Sequence, residues 1–247
     1  MKPESGQALF HVAVAGCLCA ATVYAGIFEG VFIQVGYEHY AEVPVAGLLA
    51  FLAMPFNSLV NLAYVLLGVY WLAGYLEAVF AGMALLYGPM QWLPIWTQMH
   101  PAAVLDQWLT LPIFAWPLAR CFYLDRGWKP WLFLSIECLS LASYGLVLLH
   151  PRGFEATLGV HVAATVGQAL CAQRQCGSTS LATYLALGVF SCLGFLCDHQ
   201  LARWRLFQCL TGHFWSKVCG ALQFHFAFLF LTNLSTCQRL HPEGKTH

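Results

Sequence analysis

The chain has 247 residues, 11 Lys+Arg against 11 Asp+Glu, only 9% charged residues, 60% hydrophobic residues and a mean hydropathy of +0.66. A soluble globular domain carries roughly 25% charge, so there is too little here to cover a water-facing surface. The lack of a basic excess excludes a nucleic-acid binder, and the apolar content excludes a disordered chain.

What remains is an all-α fold, a polytopic membrane helix bundle. A membrane helix needs roughly 20 apolar residues. In chain order the candidate spans are 8–33, 56–76, 78–98, 103–124, 129–149, 154–173, 180–199 and 213–234. These eight would make residues 1–247 a single integral membrane domain with short loops and a short cytosolic tail at 235–247. In the first span, Val23-Tyr24-Ala25 has the small-residue spacing of a signal cleavage site. The apolar stretch runs well past a signal's core, so an uncut helix is expected. Pro89, Pro94, Pro112, Pro117, Gly188 and Gly194 lie inside spans, where neighbouring helices can satisfy the freed backbone groups. Trp92, Trp96, Trp128, Trp131 and Trp204 fall near span ends, as an interfacial aromatic belt requires.

Most of the 11 cysteines sit in apolar stretches and no C-x-x-C pair occurs, so they read as packing thiols. With eight spans both termini share a side. Lys2, Arg120, Arg126, Lys129, Arg174, Arg239 and Lys245 collect there, against Arg152, Arg203 and Arg205 opposite, which predicts cytosolic termini. The sequon Asn233-Leu234-Ser235 then lies at the cytosolic mouth of the last span and is expected to stay unmodified. No inverted pair of broken helices stands out, which argues against an inverted-repeat transporter.

Charge inside a span costs about 2.5–3.5 kcal/mol per residue, so each such group asks for a partner. The ionisable groups are Glu29, Asp106, Glu137, His161, Asp198, His213, Lys217 and His225. Glu29 lies near enough to its span end to reach headgroups. His213 and Lys217 are one helical turn apart and share a face. Lys217 needs an anion and Asp106 a cation, so the economical arrangement is an Asp106–Lys217 pair with His213 beside it. That pair either locks helices together or serves a ligand. Asn57 and Asn61, also four apart, are expected to bond across helices. Glu137 and His161, in consecutive spans, are a further candidate pair, and His225 reads as a core histidine among Phe224, Phe226 and Phe228.

The stretches Cys209–Val218 (CLTGHFWSKV), Leu105–Trp116 (LDQWLTLPIFAW), Phe51–Asn61 (FLAMPFNSLVN) and Val35–Tyr40 (VGYEHY) closely resemble the transmembrane protein 187 family over nearly the whole chain. That resemblance implies a multi-pass membrane protein without an established activity and an endomembrane, Golgi-type location. A more distant resemblance is to the alkaline ceramidase superfamily of seven-helix membrane hydrolases, which includes the adiponectin/progestin-type receptors. It is carried by Phe56–Asn61, by Leu105-Asp106-Gln107-Trp108-Leu109, by Gly194-Phe195 with Asp198, and by His213–Lys217. It implies a seven-helix core over 56–234 with the helix at 8–33 as an addition.

The departures from that superfamily decide what is expected of the site. Its zinc is held by three His, with a Ser and an Asp completing the site. Here Asp106 and His213 match, the second His of the last helix is Lys217, and Gln91 and Ile95 stand at the Ser and remaining His positions. A catalytic zinc needs three protein ligands, and a protonated lysine is not one. No metal, cofactor or catalytic residue is therefore expected. Asp106, His213, Lys217 and Gln91 form a candidate intramembrane polar cluster, with the Lys217 ammonium replacing the charge of the ion. The expected function is that of a pseudoenzyme holding a lipid in the bundle. A divergent lipid-amide hydrolase, a transporter or channel, and a receptor or scaffold are the alternatives. Membrane lipids are the expected partners.

Overall fold

The computed structural model describes residues 3–33, 35, 37–40, 42–72, 75–127, 129–174, 179–201, 203–207 and 210–240. Lys2, Trp128, Cys176, Cys209 and Lys245 fall outside that set, as do the side chains of Arg126, Phe195, Asp198 and Arg239. The described residues form helices α1 (Pro3–Tyr24), α2 (Pro55–Leu59), α3 (Asn61–Tyr70), α4 (Tyr75–Thr97) and α5 (His100–Arg126), then α6 (Pro130–Ser143), α7 (Gly153–Gln173), α8 (Thr179–Leu196), α9 (Asp198–Leu201) and α10 (Gly212–Leu240). No strand occurs among them. The all-α membrane fold expected from composition is what the chain adopts.

Each expected span has a helical counterpart, with shifted ends. Gly6–Tyr24, Ala78–Thr97, Trp131–Leu148 and Gly212–Cys237 are long and apolar enough to cross a bilayer, and Pro55–Tyr70 and Ser180–Gly194 are shorter apolar helices. α5 and α7 have the length, at 27 and 21 residues, but a more polar composition. The largest shift is in α1, which ends at Tyr24 and not at 33. Gly26 takes φ +86° and its N–H donates to the Val23 carbonyl at 3.0 Å, a left-handed stop that only glycine adopts without strain. The described residues of 25–54 therefore form one long connection, with short 3-10 turns at Tyr37–Tyr40 and Ala50–Leu52, where short loops were expected.

The chain divides into two compact units. The first comprises residues 1–110 and 187–224, the second 111–186 and 225–247. In the first, the connection is pinned to α4 and α5. The His100 ring donates to the Val31 carbonyl at 2.6 Å, and the Trp92 indole to the Phe51 carbonyl at 2.6 Å. Phe28 meets Trp108 edge-on, and Tyr40, Met54 and Ile95 form a buried cluster with Trp92 against it. α2 and α3 run on through Val60, whose φ −60° and ψ −25° remain helical. α4 stops at Gln98, at φ +52°, whose side-chain amide donates to the carbonyls of Pro94 and Ile95.

α3 and α4 approach closely because Gly68 and Gly88 face each other's helix. A Cβ at Gly68 would lie 2.7 Å from the Ala81 carbonyl oxygen and 2.6 Å from Leu85 Cγ, and one at Gly88 would lie 2.8 Å from the Asn61 carbonyl oxygen. Small residues at such crossings let backbones meet. Gly68→Ala is expected to cost about 1–3 kcal/mol by overpacking. Gly159→Ala on α7, where a methyl meets nothing within 4 Å, is expected to be neutral or to stabilise by up to about 1 kcal/mol. Thermal unfolding followed by intrinsic fluorescence in a mild detergent reads both.

The second unit holds Glu137, His161 and His225 of the ionisable groups named from the sequence. His161 contacts the Thr157 carbonyl at 2.8 Å and Ser140 Oγ at 3.0 Å, while Glu137 Oε1 is buried without a hydrogen-bond partner. The candidate Glu137–His161 pair is therefore not formed: Ser140, one turn from Glu137, takes the imidazole instead. Arg120, counted among the water-facing basic residues, is buried. Its guanidinium lies 4.6 Å over the Tyr123 ring and donates to Ser235 Oγ at 3.3 Å. Among the described residues eight cysteines are free thiols, but Cys237 is disulfide-bonded, which departs from the packing-thiol expectation.

Candidate functional site

The polar cluster of the first unit is built on the start of α2. Pro55 opens that helix and leaves the next backbone N–H groups needing acceptors. Glu42, from the long connection, supplies them. Its Oε1 accepts from Phe56 N–H at 3.0 Å, and its Oε2 accepts from Asn57 N–H at 2.9 Å and Asn57 Nδ2 at 2.8 Å. Glu42 is only 5% exposed, and Asn57 is fully buried. Thr211 Oγ1 accepts from Phe214 N–H at 3.2 Å as the N-cap of α10, and also lies 3.5 Å from Asn57 Nδ2.

Lys217 enters from α10. Its Nζ donates to the Asn57 carbonyl at 3.4 Å and to Asn61 Oδ1 at 3.3 Å, and it sits 5.1 Å from the centre of the Tyr40 ring. The Tyr64 hydroxyl donates to the Lys217 carbonyl at 3.2 Å. His213, one turn earlier, meets the same Tyr40 ring edge-on at 4.7 Å and His39 at 5.1 Å. One phenol thus touches both side chains of the His213–Lys217 face. Burial first, and then the nearby Asp106 carboxylate, push the Tyr40 phenol well above its ordinary range, so it stays a neutral hydroxyl.

Asp106 is placed otherwise than expected. Asp106 and Lys217 are near enough to attract each other electrostatically, and Glu42 also acts on Lys217. Yet no direct Asp106–Lys217 ion pair forms, because the ammonium is taken by Asn57 and Asn61. Asp106 Oδ1 is buried without a hydrogen-bond partner. The residue lines a small cleft with His39, Tyr40 and Gln107, walled by Ile33, Val35, Pro94 and Ala103. Tyr87, which shares a hydrogen bond with Thr110 at 3.0 Å, lies beside both Asp106 and Gln91, and Gln91 Oε1 is also buried and unpartnered. Ile95 is fully buried against Tyr40 and Met54.

Sequence reading missed Glu42, Tyr40, Thr211 and Tyr64. A glutamate in a connection usually means a solvated side chain. The available signal was Pro55, which calls for an acceptor but does not say that it comes from more than ten residues upstream.

The superfamily resemblance brings zinc into question, and the residues do not fit one. Among the described residues no three His, Cys, Asp or Glu side chains converge as a metal cradle needs. His213 packs on aromatic rings, and the Lys217 amine occupies the neighbouring position.

The description of the TMEM187 protein family matches residues 8–232. The chain belongs to that family. It is 72% identical to human transmembrane protein 187, an alignment covering 99% of this chain and 98% of that protein. It is 69% identical to the Bos taurus transmembrane protein 187, over 96% of this chain and all of the other. No solved structure matches the chain. It is a membrane protein, as the name of its relatives and its apolar helices both say.

Proposed function

We propose that this family member is a non-catalytic multi-pass membrane protein that holds a small amphiphile at Asp106. The carrying observation is the division of labour between two charges. Lys217 is spent on Asn57 and Asn61, whereas Asp106 keeps a buried oxygen without a partner at the wall of a cleft. A structural ion pair would have brought the Lys217 ammonium onto the Asp106 carboxylate instead. The cleft is small and half of its lining is apolar, so it suits a polar head with only the first carbons of a chain. The packing of His213 on the Tyr40 and His39 rings, with the Lys217 amine held one turn away by Asn61, supports the pseudoenzyme reading over a metal-dependent hydrolase.

Native mass spectrometry of the purified chain tests this. A lipid retained by wild type and lost in Asp106→Ala is the expected result. A wild-type protein that retains none overturns the proposal, as does ceramide turnover with stoichiometric zinc.

The basic-residue count supports cytosolic termini, and the family resemblance supports a Golgi or other endomembrane location. The Cys237 disulfide pulls the other way for the end of α10, since such bonds persist in oxidising compartments.

A further inference from the structure

We infer that the ligand of the Asp106 cleft carries a protonated amine. The inference rests on the ligand-holding reading above and deepens it. Three observations carry it.

The first is charge. Counting carboxylates against amines, the cluster holds two, Glu42 and Asp106, against one, Lys217. One negative charge is left over in a site where isolated charge is costly. Glu42 is saturated by three donors, so the surplus falls on Asp106.

The second is the chemistry of the unpartnered atoms. In the first unit these are Asn57 Oδ1, Ser58 Oγ, Asn61 Nδ2, Gln91 Oε1 and Asp106 Oδ1. Asn57 cannot turn its oxygen into a donor, because its Nδ2 is held by Glu42, and Asn61 Oδ1 is held by Lys217. Of these atoms Asp106 Oδ1 belongs to a residue that lines the cleft, and it is an acceptor; Gln91, whose free atom is also an acceptor oxygen, lies with Asp106 beside Tyr87. What the site lacks is donors with positive charge. An ammonium offers three donors and no acceptor, whereas a carboxylate or phosphate would face Asp106 as a like charge.

The third is the cleft itself. The Tyr40 ring already takes one ammonium, that of Lys217, at 5.1 Å, and also lines the cleft. An aromatic face beside a carboxylate is a favourable seat for a cation. Ile33 and Val35 give the cleft an apolar edge beside Tyr40.

The experiment uses the full chain in a non-ionic detergent, with dodecylamine, dodecanol, dodecanoic acid and butylamine as probes. Retention in native mass spectra and shifts in unfolding temperature are the readouts. Dodecylamine is expected to bind at least about tenfold more tightly than dodecanol, because a charge-assisted hydrogen bond replaces a neutral one. Asp106→Asn should erase that preference. Gln107→Glu, which adds a carboxylate to the cleft wall, should widen it, and this gain tests the inference even if Asp106→Asn does not fold.

Equal binding of dodecanol and dodecylamine, or a preference for dodecanoic acid, overturns the amine while leaving the amphiphile reading standing. Butylamine binding as tightly as dodecylamine supports the amine as a free molecule and overturns the amphiphile. If none of the four binds, both fall.

Discussion

Glu42→Ala is expected to destabilise the chain by about 3–5 kcal/mol, the range for breaking a buried hydrogen-bonded charge network. Three donors lose their acceptor at once: the N–H groups of Phe56 and Asn57 and the Asn57 side-chain amide. The two Asn57 donors cannot turn to water, since Asn57 is fully buried. Glu42→Gln should do little better, despite its matching shape. Both carboxylate oxygens accept, so whichever way the new amide turns, its NH₂ meets a donor. A glutamine that restored most of the stability would show that the negative charge and the second acceptor are dispensable. Equilibrium unfolding in mixed micelles, read by tryptophan fluorescence, separates the cases. The consequence reaches the cleft as well. Glu42 ties the connection to α2, and Tyr40, two residues earlier, lines the cleft and touches both His213 and Lys217.

How much of this was legible in the sequence follows from the range over which each interaction acts. Helices announced themselves because apolar composition is local: each expected span met a helix. Their ends were less legible. The first span was drawn to 33 because residues 25–33 are apolar, yet a single positive-φ glycine at 26 stops the helix. Hydropathy does not register backbone dihedrals. In the site, the His213–Lys217 face was readable from spacing alone, since a helix fixes the relation between residues four apart. The partner of Lys217 was not. Opposite charge suggested Asp106, but the nearer acceptors proved to be a backbone carbonyl and an amide oxygen, and neither advertises itself by charge. Asn57 and Asn61 were recognised as polar contacts, and their real partners, Glu42 and Lys217, come from segments far away in the chain. Glu42 itself stayed hidden because its neighbours do not reveal that it is buried.

Lys217→Met tests whether the ammonium is structural glue for α10. The thioether keeps the length and apolar stem of the lysine, so packing along the stem is largely preserved. What is lost is the charge and its two bonds, to the Asn57 carbonyl and Asn61 Oδ1. The expected cost is about 3–5 kcal/mol, because removal of one partner leaves buried acceptors, with Glu42 and Asp106 behind them, uncompensated. The double variant discriminates further. Asn61→Leu alone removes the amide oxygen but leaves Lys217 with an unmet donor. Combined with Lys217→Met, it removes both ends of the same bond, and replacing both partners by apolar groups approaches neutrality. The pair should therefore be less damaging than the sum of the single effects, by about 1–2 kcal/mol of coupling. Strict additivity would mean that the 3.3 Å contact contributes nothing. Gly159→Ala, which touches neither group, serves as the uncoupled reference in the same cycle. If Lys217→Met instead leaves stability unchanged, the ammonium is not required to hold α10 against α2 and α3. The charge surplus argued for Asp106 then has to be counted again without a fixed internal cation.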